Sequence, residues 1–461
     1  MENPKPKTPT GGRFFLFAKV SLIGFLVLVL LIPTLMIRGL IHEREGRQAE
    51  ARQEVAQGWG GWQQLSGPIL IIPYQYEVVE KQSQGPDKIV TQTDYAYFLP
   101  ENLHIEGGYQ SKVLHRGIFN VPVYTGKLQI SGTFKRPDFS QLEIPESRVL
   151  WHEAYISVGL SDLKGVRNNV LLQWNGQEFP MGPEHKRGSL YAAAIQSHLP
   201  DIETWPAPEP RSFQMGLELA GSQSAQFLPL GKETQVSLQS DWPHPSFTGH
   251  TLPTQRKITP EGFQAFWKIP QTGRNLPQQW KGNEITERYL AGTAFGPDFI
   301  LPIDTYQFSE RSVKYASLFI LLTFVAFFLF EILGRLRIHP IQYLLVGVAM
   351  TLFYLLLLSL SEHLSFGLAY IVAAFGTIAL ITAYISQVLK KRRWALLMAG
   401  IFSALYGYLY TLLRAEDFAL LMGSLGLFLI LAVIMFLTRK INWYEIGGPR
   451  AAASLEASPS V

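Results

Sequence analysis

The chain has 461 residues, a formal net charge of +4 and no cysteine; 47% of its residues are hydrophobic and only 16% are charged. The lack of cysteine excludes disulfide frameworks, thiolate catalysis, Fe–S clusters and cysteine-ligated zinc. The composition is typical of a membrane protein with a large polar domain. The small positive charge is largely explained by Lys and Arg that flank apolar runs, so it does not indicate nucleic-acid binding.

The N-terminal region predicts a short tail, a membrane anchor and a stalk. Residues 1–13 are polar and Pro-rich, as in a disordered tail. Residues 14–37 are apolar apart from Lys19, which we expect to extend to the membrane interface. This run is longer than the core of a cleaved signal peptide, so we interpret it as transmembrane helix 1. The charged segment 38–64 predicts a helical stalk, either solvated or acting as a contact helix.

Residues 65–310 have the alternating pattern of strands. Turn signals separate the strands, among them Gly85-Pro86, Thr125-Gly126 and Asn175-Gly176, the last a strong two-residue hairpin signal. We predict an all-β domain, built as a sandwich or as two packed subdomains. The predicted strands are 69–78, 88–98, 113–120, 124–134, 149–158, 170–174, 213–219 and 234–239.

The rest of the chain predicts a five-helix transmembrane bundle at 311–437 and a tail at 438–461. Each apolar segment is about 20 residues long, enough to cross a bilayer. The predicted fold class is therefore a membrane protein of α+β type, with six transmembrane helices and a large sandwich-like β domain inserted between helices 1 and 2. The five bundle segments are 315–333, 341–360, 366–389, 394–413 and 418–437.

Lys and Arg cluster in alternate connections, at 335–337, 390–393 and 439–440. By the positive-inside rule these connections and both termini are cytoplasmic, and residues of about 38–312 are outside. Charges at the outer span ends would share one level of the bilayer. They form a candidate ion-pair layer that would dock the β domain onto the bundle, for which we favour the alternative of ordinary interfacial charges that face water; a transport or proton-relay role is the third alternative. These residues are Glu310, Arg311, Lys314, Glu362, His363, Arg414, Glu416 and Asp417.

A Pro-bracketed aromatic segment forms a candidate recognition loop, for which we favour the alternative of a loop that plugs the core edge. It contains Trp242, Pro243, His244, Pro245 and Phe247. No metal-binding His pattern, nucleophile elbow or phosphate loop occurs, so we expect no metal, no cofactor and no enzymatic activity. Glu331, which we expect to reach Arg335, is nearly alone as an ionisable residue among the apolar segments; this argues against active transport.

Several long motifs together resemble the CreD family of inner-membrane proteins over nearly the whole chain. They include Leu65-Ser-Gly-Pro68, Asp241-Trp-Pro-His-Pro-Ser-Phe247, Glu261-Gly-Phe-Gln-Ala-Phe-Trp267, the segments 339–347 and 353–363, and Phe436-Leu-Thr-Arg-Lys-Ile-Asn-Trp-Tyr444. The resemblance implies the inner membrane of a double-membraned cell, a periplasmic β domain, and a role in envelope integrity under a two-component stress response. It implies no catalytic residues.

The leading hypothesis is thus a non-enzymatic protein that supports envelope integrity or the envelope stress response. Its partners would be the lipid bilayer and periplasmic envelope proteins or lipids. The alternative is a permease-like protein that handles lipids or small molecules, for which we expect a cleft that reaches from Glu362 and His363 into the helices.

Overall fold

The computed structural model separates the apolar helices from the strands. It describes residues 11–81, 87–184, 190–200, 202–206, 208–301, 305–334, 338–389, 392–415, 418–439 and 441. A helical unit comprises Met1–Arg47 and Ile303–Val461, and a β unit comprises Gln48–Pro302. The predicted α+β fold class, with a β domain between the first and second apolar helices, is confirmed.

Eight helices occur in the described part of the chain. They are α1 (Gly11–Trp59), α2 (Glu287–Ala291), α3 (Thr305–Lys314), α4 (Ala316–Gly334), α5 (Pro340–Ser361), α6 (Phe366–Leu389), α7 (Arg392–Arg414) and α8 (Ala419–Thr438). Six of these, α1 and α4 to α8, are long and apolar enough to cross a membrane. This agrees with the six spans expected from hydropathy, because runs of about 20 apolar residues satisfy their backbone groups in lipid only as helices.

Two features of the helices go beyond the prediction. The anchor and the stalk form one continuous helix, α1, which ends before Gly60, a residue with a φ of 139°. Residues 305–310, which the sequence analysis assigned to the β domain, belong to helix α3 of the helical unit. The short helix α3 was missed because its ten residues are mixed in polarity and lie beside a much stronger apolar signal.

The β unit contains seventeen strands among the described residues. They are β1 (Gln63–Glu80), β2 (Lys88–Phe98), β3 (Asn102–Arg116), β4 (Phe119–Phe134), β5 (Tyr155–Leu160), β6 (Leu171–Trp174), β7 (Gln177–Pro180), β8 (Gly182–Pro183), β9 (Ala194–His198), β10 (Arg211–Ser222), β11 (Ala225–Phe227), β12 (Glu233–Ser240), β13 (Pro245–Gly249), β14 (Gln255–Thr259), β15 (Gly262–Pro270), β16 (Gln279–Lys281) and β17 (Phe295–Phe299).

These strands form two sheets that share one hydrophobic core. The first sheet has the order β13-β17-β11-β1-β5-β9-β8, with β2 paired to β1 and β16. The second has the order β14-β15-β12-β3-β4-β10-β6-β7. Leu70 and Ile72 of the first sheet and Ile105, Leu128 and Val236 of the second belong to the same buried cluster. The continuous core favours one sandwich over two separate subdomains.

The turn predictions had mixed outcomes. Asn175 and Gly176 adopt φ values of 49° and 85° between β6 and β7, as a two-residue hairpin requires. The Gly85-Pro86 turn lies outside the described residues. The Thr125-Gly126 turn is wrong, because both residues lie within β4. A Cβ at position 126 would lie 2.5 Å from the Tyr109 ring, so this glycine makes room for an aromatic side chain.

Two strand boundaries were also misplaced. The predicted strand 113–120 runs through a turn at Gly117 (φ 58°) that joins β3 to β4. The segment 149–158 contains a short 3-10 helix at Trp151–Glu153 before β5 begins. Both loops carry an apolar side chain, Ile118 in the first and Trp151 in the second, so periodicity alone extends the strand too far.

We predict that Gly249→Ala destabilises the protein. Gly249 has a φ of 101°, and a Cβ there would overlap the carbonyl oxygen of Ala294 and lie 2.6 Å from the Cα of Phe295. Strain of this kind costs about 1–3 kcal/mol, so the midpoint of thermal unfolding should fall. Gly117→Asn is the control, because that position is open and Asn tolerates positive φ. Equal midpoints for the two variants would contradict the prediction.

Candidate functional site

Two charged contacts join α1 to the C-terminal helices inside the helical unit. In the first, Glu310 of α3 accepts a hydrogen bond from Arg38 Nη2 of α1 at 3.2 Å. Glu310 also pairs with Lys314, one turn further along α3, at 3.3 Å. The Glu310 side chain is 21% exposed. This carboxylate therefore connects two helices that are 272 positions apart in the chain.

A second carboxylate extends the same arrangement. Glu362 caps the C-terminal end of α5 and accepts a hydrogen bond from the Tyr306 hydroxyl at 3.1 Å. It forms an ion pair with Arg44 Nε of α1 at 3.6 Å. We call Arg38, Arg44, Tyr306, Glu310, Lys314 and Glu362 the carboxylate clasp. The clasp joins α1, α3 and α5 of the helical unit.

The carboxylate clasp contains only part of the predicted ion-pair layer. Glu310, Lys314 and Glu362 come together, whereas Arg311 stacks on Phe308 and Arg414 on Tyr410. The backbone N–H of His363 donates a hydrogen bond to the carbonyl oxygen of Leu360 at the end of α5. Glu416 and Asp417 lie outside the described residues. The docking of the β domain by these residues stays a prediction.

Sequence reasoning missed the two arginines of α1. It considered only charges beside the last five spans, although Arg38 directly follows the apolar run of the anchor. Its position at the end of the apolar run was the signal that it lies at the same level as Glu310.

The environment of Glu310 favours its charged form. Partial burial by itself would raise the pKa of this carboxyl group, but hydrogen bonds and charges from Lys314 and then Arg38 outweigh burial. The pKa of Glu310 is therefore lowered from its ordinary value. The Glu310 carboxylate is consequently charged at neutral pH.

The second contact lies at the other end of the apolar run. Lys19 of α1 forms an ion pair with Glu331 of α4 and also donates to the carbonyl oxygen of Ile338 at 3.2 Å. The Tyr343 hydroxyl of α5 donates to the other Glu331 oxygen at 3.2 Å. Both charged side chains are 13% exposed. The pairing of Lys19 with this carboxylate was not anticipated from the sequence, and it satisfies the lysine charge inside the protein.

The two contacts are separated by about the thickness of a membrane. Lys19 and Arg38 are 19 positions apart on α1, which is about 28 Å along a helix. The hydrocarbon core of a bilayer is about 30 Å thick. Between them, Leu30 packs over Gly347 of α5, and a Cβ at Gly347 would overlap its side chain. Helix α1 is thus attached at both ends of its apolar run and in the middle.

The candidate recognition loop has its aromatic rings turned into the β unit. Trp242 is 7% exposed, and its indole nitrogen donates to the carbonyl oxygen of His244 at 3.0 Å. Phe247 lies on β13 and packs edge-on against Phe263 and Trp267. This geometry agrees with the favoured alternative of a segment that closes the core edge. A recognition role for the loop stays a prediction.

A tyrosine cluster of the β unit was not anticipated from the sequence. Ser157 donates a hydrogen bond to the Glu184 carboxylate at 2.8 Å, and Tyr155 also bonds to it. Ser66 donates to the Tyr191 hydroxyl at 2.7 Å. Burial first, and then the charge of Glu184, raise the pKa of Tyr155; burial first, and then the charge of Glu287, raise the pKa of Tyr191 although the hydrogen bond from Ser66 lowers it. Both hydroxyl groups therefore stay protonated at neutral pH, and Tyr155 uses its proton in the hydrogen bond to Glu184.

A family model and one known protein, compared with this chain, identify the same family. The family described as "Inner membrane protein CreD" matches residues 15–444. Inner membrane protein CreD of Escherichia coli (strain K12) is 33% identical over 453 residues, and the match covers 96% of this chain and 97% of that protein. The range matched by the family, residues 15–444, extends over the positions of the carboxylate clasp and of the Lys19–Glu331 contact and into both units.

We predict that Lys19 and Glu331 are energetically coupled. Either Lys19→Met or Glu331→Met leaves the other charge buried without its partner, which costs on the order of 3 kcal/mol. The double variant removes both charges. Its loss of unfolding free energy should therefore be smaller than the sum of the losses in the two single variants. Denaturant unfolding of the four proteins in detergent measures this coupling. Strictly additive losses would contradict the ion pair.

We also predict a pH-dependent contribution from Glu310. Because its folded pKa is lowered, this group stabilises the protein at pH values above its unfolded pKa and loses that effect as the pH falls through the folded pKa. The unfolding midpoint of wild type should therefore exceed that of Glu310→Gln at pH 7, and the gap should close below about pH 4.5. Glu43→Gln, at an exposed pair with Arg47, is the matched control. A gap that does not change with pH would rule out this role for Glu310.

Proposed function

The chain belongs to the CreD family of inner membrane proteins, and we propose that it supports the integrity of the cell envelope, or the envelope stress response, without catalysing a reaction. The β unit would be displayed in the periplasm, where it contacts envelope proteins or lipids. The helical unit would hold it in the bilayer. The observation that carries this proposal is a β unit of Gln48–Pro302 inserted between the first and second of six membrane-spanning helices.

The contacts of three partly buried carboxylates support a function without catalysis. Glu331 is held by Lys19 and Tyr343, and Glu362 by Tyr306. Glu184 accepts from Ser157. A general base needs a carboxylate that can reach a substrate proton. These three are instead used to join elements of the fold.

The packing beneath Glu362 supports an anchoring role over permease-like transport. The transport alternative expects a polar or lipid-sized cleft there. In the described helices, the Phe353 ring lies 4.9 Å from Tyr354, 5.5 Å from Tyr370 and 4.7 Å from Tyr406, measured between ring centroids. Tyr370 also donates to the carbonyl oxygen of Tyr406 at 2.6 Å. This close packing of aromatic rings between α5, α6 and α7 favours an anchoring role over a cleft.

The orientation proposed here rests on the distribution of Lys and Arg among the connections. Because the chain has no cysteine, single cysteines can be introduced without a background. In intact spheroplasts, we expect Gln141→Cys, at an exposed position of the β unit, to react with a membrane-impermeant maleimide. Thr8→Cys should react only after lysis, because the N-terminus would be cytoplasmic.

Two outcomes would contradict the proposed function. Labelling of Thr8→Cys, but not Gln141→Cys, in intact spheroplasts would place the β unit on the wrong side for contact with the envelope. A hydrolytic or transferase activity of the reconstituted protein on an envelope precursor, abolished by one point substitution, would show that the protein is an enzyme.

A further inference from the structure

An open groove crosses the outer face of the second sheet in the β unit. Two adjoining cavities, of about 680 and 670 Å³, share Gly108, Gln239, Lys257 and Gln264 in their linings. The shared residues come from β3, β12, β14 and β15, and Lys127 of β4 extends the first cavity. Five neighbouring strands at about 4.8 Å spacing span about 19 Å. The two cavities thus form one elongated groove.

Strand register explains why this face is polar. Gln239 lies opposite Gly108 on one side and Gln264 on the other, and Gln264 lies opposite Lys257. Residues opposite each other in a ladder point to the same face of the sheet. The intervening residues Val236 and Leu238 are buried in the core. Gln239 and Gln264 therefore face outward on strands whose side chains alternate between the core and the surface.

The floor of the groove is kept open by a residue without a side chain. A Cβ at Gly108 would meet only the Gln239 side chain, at 3.7 Å, so no packing inside the protein requires glycine here. Its backbone has a negative φ, so the conformation does not require glycine either. A missing side chain in the centre of a polar groove leaves room for a bound molecule.

The chemistry of the lining selects a class of ligand. Amide side chains from Gln110, Gln239, Gln255 and Gln264 offer both donors and acceptors, which complement hydroxyl groups. Phe266, partly exposed, provides an aromatic surface between them. Sugars present both hydroxyl groups and apolar ring faces. Amides beside an aromatic ring match this combination.

The charges of the groove argue against an ionic polymer. Three cationic and three anionic side chains line the two cavities, so the groove has no net charge to attract a polyanion or a polycation. The cationic residues are Lys127, Arg256 and Lys257, and the anionic residues are Glu106, Asp241 and Glu261.

We propose that this groove binds an extended, uncharged saccharide chain. The length of the groove fits several consecutive sugar units, and its amides contact their hydroxyl groups while Phe266 packs on a ring face. That such a chain would be a glycan of the envelope rests on the proposed function. The binding itself requires no particular orientation in the membrane.

The test uses the full-length protein in lipid nanodiscs, because maltoside detergents would themselves compete as sugars. Titration calorimetry with chitotetraose and cellotetraose should give saturable binding to at least one of them. Gln239→Leu and Gln264→Leu should each weaken that binding at least tenfold. Gln214→Leu is the matched control, because this exposed glutamine of β10 lies on the same sheet outside the groove. Thermal unfolding verifies that each variant is folded.

Several outcomes would overturn the proposal. These are no binding of either oligosaccharide, an equal loss in Gln214→Leu, or tighter binding of heparin or of vesicles rich in phosphatidylglycerol. Failure of this proposal is distinguishable from failure of the proposed function. Periplasmic labelling of Gln141→Cys with no sugar binding refutes the groove alone. If the protein binds sugar but Gln141→Cys reacts only after lysis, the proposal of a sugar-binding groove stands and the envelope role is refuted.

Discussion

The attachment of α1 to the C-terminal helices depends on ion pairs, of which the Lys19–Glu331 pair has little contact with water. A charge in a low-dielectric environment must be paired, and the partner fixes which helices lie side by side. The apolar surfaces of membrane helices specify neighbours only weakly, because lipid tails are equally apolar. The Lys19–Glu331 contact and the carboxylate clasp therefore supply the specificity with which the first helix finds helices encoded about 300 residues later.

The β unit solves a different problem, since it has no disulfide to restrain it. Its stability comes from a core rich in large aromatic side chains, of which Trp205, Trp267 and Trp280 are each almost fully buried. Such rings bury a large area each and pack in preferred geometries, as in the stack of Tyr97 on Trp280 at 5.1 Å. The stability of this core is independent of whether the surroundings are oxidising or reducing.

Features that depend on local patterns were predictable from the sequence. The six apolar helices follow from hydropathy, and the Asn175-Gly176 hairpin follows from the preference of both residues for positive φ. The first half of β3 was missed because Gly107 and Gly108 weaken the strand pattern. The contacts of Glu310 with Arg38 and of Glu331 with Lys19 were missed for a deeper reason. Each pair joins residues hundreds of positions apart, and nothing in a single sequence links a given lysine to a given carboxylate.

The order of synthesis gives the Lys19–Glu331 contact a further consequence. Lys19 and Glu331 are separated by 312 positions, and ribosomes add roughly 5–20 residues per second. The anchor therefore waits on the order of 15–60 s before its carboxylate emerges. During that interval the ammonium group is satisfied by lipid headgroups, to which a lysine stem of this length can reach. The finished pair is thus a late step of biogenesis, which captures the first helix only after the whole β unit has been made.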